Sequence, residues 1–167
     1  MGTSRKRVLI TGCGRSGTRY TSMLLQRLGL EVAHDRVGPD GIVSWLLAVE
    51  ADAVPWGMPP RSDFDFDHVF HQVRDPLRVI PSTATFRPKS WEYVCRHIPC
   101  SLEDPVLLRG AKYWYHWNVR AEQIAEWRFR IEDITDSFEE LCSRLGLQAR
   151  RSVLDHVPKD VNTRRHG

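Results

Sequence analysis

A three-layer α/β/α fold around a mostly parallel central sheet follows from three features of this sequence. Short apolar, β-branched runs alternate with longer stretches of helical spacing, the pattern of strands joined by crossover helices. The first such run breaks into a glycine-rich turn and resumes as a helix, GCGRSGTR in residues 12–19. The whole is 167 residues with no internal repeat, a length that makes one domain, 1–167, and lets about 70% of the unfolded surface be buried.

Taken in order, residues 8–11 form a buried strand. Apolar Tyr20, Met23, Leu24 and Leu28 then recur at three and four residues, which predicts a helix over 17–28 that Gly29 stops. Residues 31–33 give a second short strand, and Gly38-Pro39-Asp40-Gly41 is a turn into a helix carrying Ile42, Val43, Trp45, Leu46 and Val49. Residues 54–67, rich in proline and aspartate, read as a loop. A third strand over 68–73 ends in Arg74-Asp75-Pro76, where proline at the first helical position opens a helix that Pro81 kinks or ends. Helices follow over 89–97 and 106–127, then a last strand over 128–131, an amphipathic helix over 134–145 closed by Gly146, and a polar, basic tail over 158–167.

The turn after the first strand is a P-loop-like phosphate cradle. Glycines allow a tight bend with N–H groups turned inward, and the first turn of the following helix adds unpaired N–H groups at its positive end. Two nucleotide loops fit poorly. In GxxxxGK[ST], Gly12 and Gly17 have the right spacing, but Thr18 replaces the lysine and Arg19 the magnesium-binding hydroxyl. Gly12, Gly14 and Gly17 match GxGxxG, yet no acidic residue ends a second strand about 20 residues on. The loop instead offers Arg15 and Arg19, the hydroxyls of Ser16 and Thr18, and no metal ligand. That set suits a phosphosulfate, whose transferred group carries less charge than a phosphoryl group and needs no magnesium.

On these residues GRSGTRY resembles the 5′-phosphosulfate loop PKSGTTW of the sulfotransferase family. Arg15 takes the place of the family lysine, Ser16, Gly17 and Thr18 are retained, and Tyr20 replaces a tryptophan. Gly14 precedes them in the same turn. Arginine holds an oxyanion in a planar fork without donating its proton, so stabilising the leaving group is its expected role. RDPLRVIPS, after the third strand, matches the family's second motif, RxPxxxxxS, with Arg74, Pro76 and Ser82 in place. The resemblance assigns Arg74 and Ser82 to the 3′-phosphate of 3′-phosphoadenosine 5′-phosphosulfate (PAPS), whose product is PAP, and gives the tail pair Arg164 and Arg165 a similar part. It implies transfer of a sulfuryl group to an acceptor hydroxyl or amine, with no metal. A small-molecule or carbohydrate acceptor is expected on this resemblance, with lipid and protein tyrosine also open.

Such a transfer needs a general base within hydrogen-bonding reach of the attacking oxygen. Where family members use a carboxylate it follows the first helix, and here that region holds His34-Asp35, with Asp35 favoured and His34 beside it. His71 is a third candidate, although a histidine on a buried strand is more often a satisfied core residue. Trp114, Tyr115 and Trp117 lie at helical spacing and read as core, while Trp45, near the candidate base in sequence, is a candidate acceptor wall. Asn118 has no assigned chemistry.

Two other functions share these residues. Cys13 and Arg19 fit C-x5-R, the loop of cysteine-dependent phosphatases of the low-molecular-weight type, in which Cys13 would be a thiolate nucleophile. A phosphate-loop protein that binds nucleotide without catalysis is the third. Hydrophobic residues at 41% and charged residues at 27% suit a globular domain. A net charge of +3 fits an anionic ligand, while scattered basic residues give no reason to expect nucleic acid. No run of 18 apolar residues and no signal-length apolar segment occur, so no membrane span and a cytoplasmic location are expected. Cys13, Cys95, Cys100 and Cys142 lack CxxC spacing and are expected as reduced thiols.

Overall fold

The computed structural model describes residues 6–159; Arg164 and Arg165 lie outside the described residues. Five strands, β1 (Val8–Gly12), β2 (Val32–His34), β3 (Gly41–Val43), β4 (His68–Val73) and β5 (Trp127–Arg130), form one sheet in the order β2-β3-β1-β4-β5. Every pairing is parallel. The helices are α1 (Thr18–Arg27), α2 (Pro76–Ser82), α3 (Pro88–His97), α4 (Val106–Ile124), α5 (Ile134–Leu145) and α6 (Ser152–His156).

Alternation along β1 sends its side chains to opposite faces of the sheet. Val8 and Ile10 join a core with Leu24 and Leu25 of α1, Phe138 and Leu141 of α5 and Val153 of α6. On the other face Cys13, just past the strand, joins Trp45, Val79 of α2, Trp91, Tyr93 and Val94 of α3, and Tyr113 and Trp117 of α4. Helices thus cover both faces of the sheet, the three-layer α/β/α arrangement that the sequence predicts.

The chain leaves β1 toward β2 on one side and leaves β4 toward β5 on the other, so adjacent β1 and β4 diverge at their carboxyl ends. Ligands of open α/β sheets bind in the crevice above such a point. Gly12 pairs with Gln72 across that junction. A Cβ on Gly12 would lie 2.1 Å from the Gln72 carbonyl oxygen, so the two strands approach this closely only with glycine there.

Several expectations need correction. The apolar run expected as a helix over 42–49 begins as β3, and only a single 3-10 turn, Leu46–Ala48, follows. Residues 41–49 are all buried, so no polar face exists for an amphipathic helix. Gly41 has φ 125°, and a Cβ on it would lie 1.9 Å from the Val8 carbonyl oxygen, which fixes close pairing with β1. β2 and β5 lie one residue from their expected positions, α4 ends at Ile124, and α6 is additional. Pro81 does not end α2, which runs to Ser82 and passes into a 3-10 turn, Thr83–Thr85. Cys95 and Cys100 form a disulfide at the end of α3, against the expectation of reduced thiols, while Cys13 and Cys142 are free and buried. Among the described residues no helix is long and apolar enough to cross a membrane.

Because the Gly12 clash is with backbone at the centre of the sheet, Gly12→Ala is expected to destabilise the fold by about 3 kcal/mol or more. Urea unfolding checks this; an unchanged midpoint would contradict the close β1–β4 approach.

Candidate functional site

The loop between β1 and α1 sits on the diverging ends of β1 and β4. Its backbone is fixed by left-handed residues at Arg15, φ 70°, and Gly17, φ 87°. The Gly14 N–H donates to the Tyr113 hydroxyl at 2.7 Å, and the Ser16 N–H donates to the Cys13 carbonyl at 3.2 Å. From β4, the buried Gln72 amide donates to the Ser16 carbonyl at 2.6 Å, while its oxygen accepts from the Thr21 hydroxyl of α1, also at 2.6 Å. One side chain therefore ties loop and helix to the sheet. Gln72 belongs to no motif; its signal in the sequence is an amide inside the run HVFHQV, which needs partners once that strand is buried.

The two arginine motifs meet here. Arg74, just past β4, donates from its guanidinium to the Arg15 carbonyl at 3.0 Å, and Trp114 of α4 donates its indole N–H to the Arg74 carbonyl at 3.0 Å. Arg15 in turn donates to the Thr85 hydroxyl at 2.6 Å and lies over the Phe86 ring at 5.5 Å. Ser82, half-buried at the end of α2, donates its hydroxyl to the Val79 carbonyl at 2.8 Å, leaving its lone pairs able to accept. Ser16 is fully buried and its hydroxyl has no protein partner, an orphan that an anionic oxygen in the loop would satisfy. Arg19 is exposed on the first turn of α1, and Tyr20 packs against the core beneath that helix.

On the β3 side of the loop lies a cavity of about 420 Å³, lined by Gly14, Arg15, Thr18, His34, Asp35, Trp45, Trp56, Phe86 and Arg87 among others. His34 and Asp35 both reach it, their side chains 31% and 29% exposed. His34 Nε2 lies 3.0 Å from the Thr18 hydroxyl, and Nδ1 lies 3.5 Å from Asp35 Oδ2. Asp35 Oδ1 accepts from the Ser44 hydroxyl at 2.6 Å. Burial holds His34 below its ordinary pKa, opposed by the Asp35 charge and assisted by Arg19. Burial raises Asp35 above the usual carboxylate range, opposed by His34 and by the Ser44 hydroxyl. Burial thus favours the neutral imidazole, with Nε2 in reach of the Thr18 hydroxyl and Nδ1 facing the Asp35 carboxylate.

Other candidates fall outside this group. His71 is buried on β4, its Nε2 2.9 Å from the Asn118 side-chain oxygen, and burial holds its pKa down. Asn118 also donates to the Trp114 carbonyl, so this pair is structural. Cys13 is buried beneath the loop, where burial drives its thiol far above the ordinary value. Trp117 is core, with its N–H donating to the Trp45 carbonyl, whereas Tyr115, expected as core, is 59% exposed. Trp45 is both: it lines the cavity and packs tilted or edge-on against Phe86, Tyr93, Tyr113 and Trp117.

Strain is concentrated here as well. Among the described residues, the non-glycine positions with positive φ are Arg15, Asp35 (φ 51°) and Trp56 (φ 60°), and all three line this one cavity. Such conformations cost on the order of 1–3 kcal/mol each and gather at functional sites. No protein-family model matches the chain, and no curated protein matches it, so the site stands on its geometry.

The His34 pair gives a direct check. In an NMR titration His34 is expected to lose its proton at a midpoint below 6.5, so its basic form grows as pH rises through that lower value. Asp35→Asn removes the charge that favours the imidazolium and should move the midpoint lower still. A midpoint that rises in Asp35→Asn would contradict the pairing.

Proposed function

We propose that the chain is a sulfotransferase, taking a sulfuryl group from PAPS to the hydroxyl or amine of a small-molecule or carbohydrate acceptor. The observation that supports this reading is the hydrogen bond from Arg74 to the Arg15 carbonyl, by which the two motifs that resemble the family's donor loops lie side by side where β1 and β4 diverge. Arg15, Ser16, Gly17, Thr18 and Arg19, with Gly14 at the turn, would hold the phosphosulfate, and Tyr20 would brace α1 beneath them. Arg74 and Ser82 would hold the 3′-phosphate, with Arg164 and Arg165 as further contacts. Ser16's orphaned hydroxyl fits an anionic oxygen.

The donor supplies the sulfuryl group, whose S–O bond to the phosphate breaks as the bond to the acceptor oxygen forms. His34 would take the acceptor's proton at Nε2, the acceptor hydroxyl replacing the Thr18 hydroxyl now 3.0 Å from that atom, while Asp35, 3.5 Å from Nδ1, favours a proton on the far nitrogen. Arg15 and Arg19 stabilise the charge left on the phosphate. This gives His34 the base role and Asp35, favoured on sequence grounds, the role of positioning it. The phosphatase alternative needs a thiolate at Cys13, and complete burial disfavours that charge. The Cys95–Cys100 bond weighs against a reducing cytoplasm as the compartment.

Calorimetric titration with PAP is the test. Wild type is expected to bind PAP at least tenfold more tightly than AMP, and Arg74→Ala to erase that preference. Equal affinity for PAP and AMP, or no binding of either, refutes the donor assignment; hydrolysis of phenyl phosphate lost in Cys13→Ser would put the phosphatase in its place.

A further inference from the structure

Trp56 combines three properties that packing does not account for. It is 53% exposed, its backbone is left-handed at φ 60° and ψ 26°, and its side chain lines the same cavity as His34 and Asp35. Aromatic residues rarely adopt that backbone, and a ring left half in water recovers little of the cost through burial. The turn around it is built to hold it: Pro55 fixes the approach, Gly57 continues left-handed at φ 71°, and the Met58 N–H closes back on the Pro55 carbonyl at 3.4 Å.

Charge at this rim is one-sided. Lys89 lies over the Trp56 ring at 5.6 Å, and Arg87 lines the cavity; neither pairs with a carboxylate among the described residues. Asp35 is the one acidic side chain in the lining, and it is engaged by His34 and Ser44.

We propose that Trp56 is the stacking platform for a sugar ring, and that the acceptor is an anionic carbohydrate whose carboxylate or sulfate is taken by Arg87 and Lys89. This rests on the sulfotransferase reading for the reaction, though not for the binding surface. A sugar presents a C–H face that stacks on an indole while its hydroxyls stay wet, which suits a half-exposed ring at a rim that also carries the exposed Arg87. A phenolic acceptor would call for an enclosed apolar slot, and here the rings that could form one, Trp45 and Phe86, are packed against each other and against Tyr113. Lys89, on a flexible stem, gives up the ring face to the sugar and turns its ammonium to the anionic group.

The test titrates the protein with chondroitin tetrasaccharide, with neutral cellotetraose and with 4-nitrophenol, by calorimetry and by quenching of tryptophan fluorescence. Chondroitin tetrasaccharide is expected to bind, with affinity reduced about tenfold in Trp56→Ala and less in Trp56→Phe, and reduced with a flatter salt dependence in Arg87→Gln. Circular dichroism and thermal melting of each variant show that the fold is retained. Equal affinity in wild type and Trp56→Ala, or no binding of the tetrasaccharide, overturns the proposal. Cellotetraose binding as well as chondroitin removes its anionic part, and preference for 4-nitrophenol removes the sugar. PAP binding by wild type is scored separately: saccharide binding without PAP binding leaves the sugar platform standing and sinks the donor reading alone.

Discussion

Everything above the sheet depends on how the buried Gln72 amide is satisfied. Its nitrogen donates to the Ser16 carbonyl and its oxygen accepts from Thr21, each at 2.6 Å, so it spans the loop and the helix that follows it. Gln72 stands opposite Gly12 in the β1–β4 register, and the missing Cβ at Gly12 lets the strands close far enough for the amide to reach. A buried amide left without partners costs about 1–3 kcal/mol, so the loop conformation that satisfies it is favoured by a margin of that size. That conformation turns the Arg15 carbonyl toward Arg74 and leaves the Ser16 hydroxyl buried and unmatched. The loop thus carries a buried hydroxyl without a protein partner beside the Arg15 and Arg74 guanidiniums, a polar group held in place at a cost that only a partner from outside the loop would relieve.

Beneath the loop, an aromatic floor limits what its chemistry can be. Tyr113 accepts from the Gly14 N–H and is fully buried among Trp45, Phe86, Trp91 and Trp117. A Cβ on Gly14 would lie 2.9 Å from Phe86 and 3.0 Å from the Tyr113 hydroxyl, so the loop rests directly on these rings. The same packing encloses Cys13 and keeps its thiol protonated. Sequence alone leaves Cys13 and Arg15 as rival centres for one loop; burial separates them, silencing the sulfur while Arg15 keeps access to the cavity.

What could be read in the sequence was local. The β1-loop-α1 unit, β4 and α5 declare themselves through β-branched runs, glycine and helical spacing, and β4 and α5 fall on the residues expected. β3 was not legible because Ile42, Val43, Trp45, Leu46 and Val49 mimic a helix face; total burial between β1 and β2 is a fact about distant partners. Cys95 and Cys100 pair across a five-residue separation that resembles no motif, because the bond depends on the chain reversing after α3. Motif spacing brought Arg74 beside Arg15, yet it could not reveal Gln72, Tyr113 or Ser44, whose partners lie 56, 99 and 9 residues away. His34 and Asp35 were legible as adjacent polar residues after the second strand; their contacts with Thr18 and Ser44 depend on the loop and on β3 and were not.

The distribution of backbone strain joins these parts. Arg15, Asp35 and Trp56 come from three separate loops, after β1, after β2 and beyond β3, and each holds a left-handed backbone that a non-glycine side chain disfavours. A loop free to relax would abandon that conformation, so each must be held by something stronger. At Arg15 it is the Gln72 and Tyr113 clamps on the loop around it; at Asp35 it is the Ser44 hydroxyl and the backbone bond from the Asp35 N–H to the Val43 carbonyl at 3.1 Å. Trp56 is held by its flanking Pro55 and Gly57, with little packing to reward it. Three unrelated devices aim a guanidinium, a carboxylate and an indole at one cavity of about 420 Å³. Packing alone would scatter such costs over the surface, whereas here they gather at one cavity, the distribution that functional sites show.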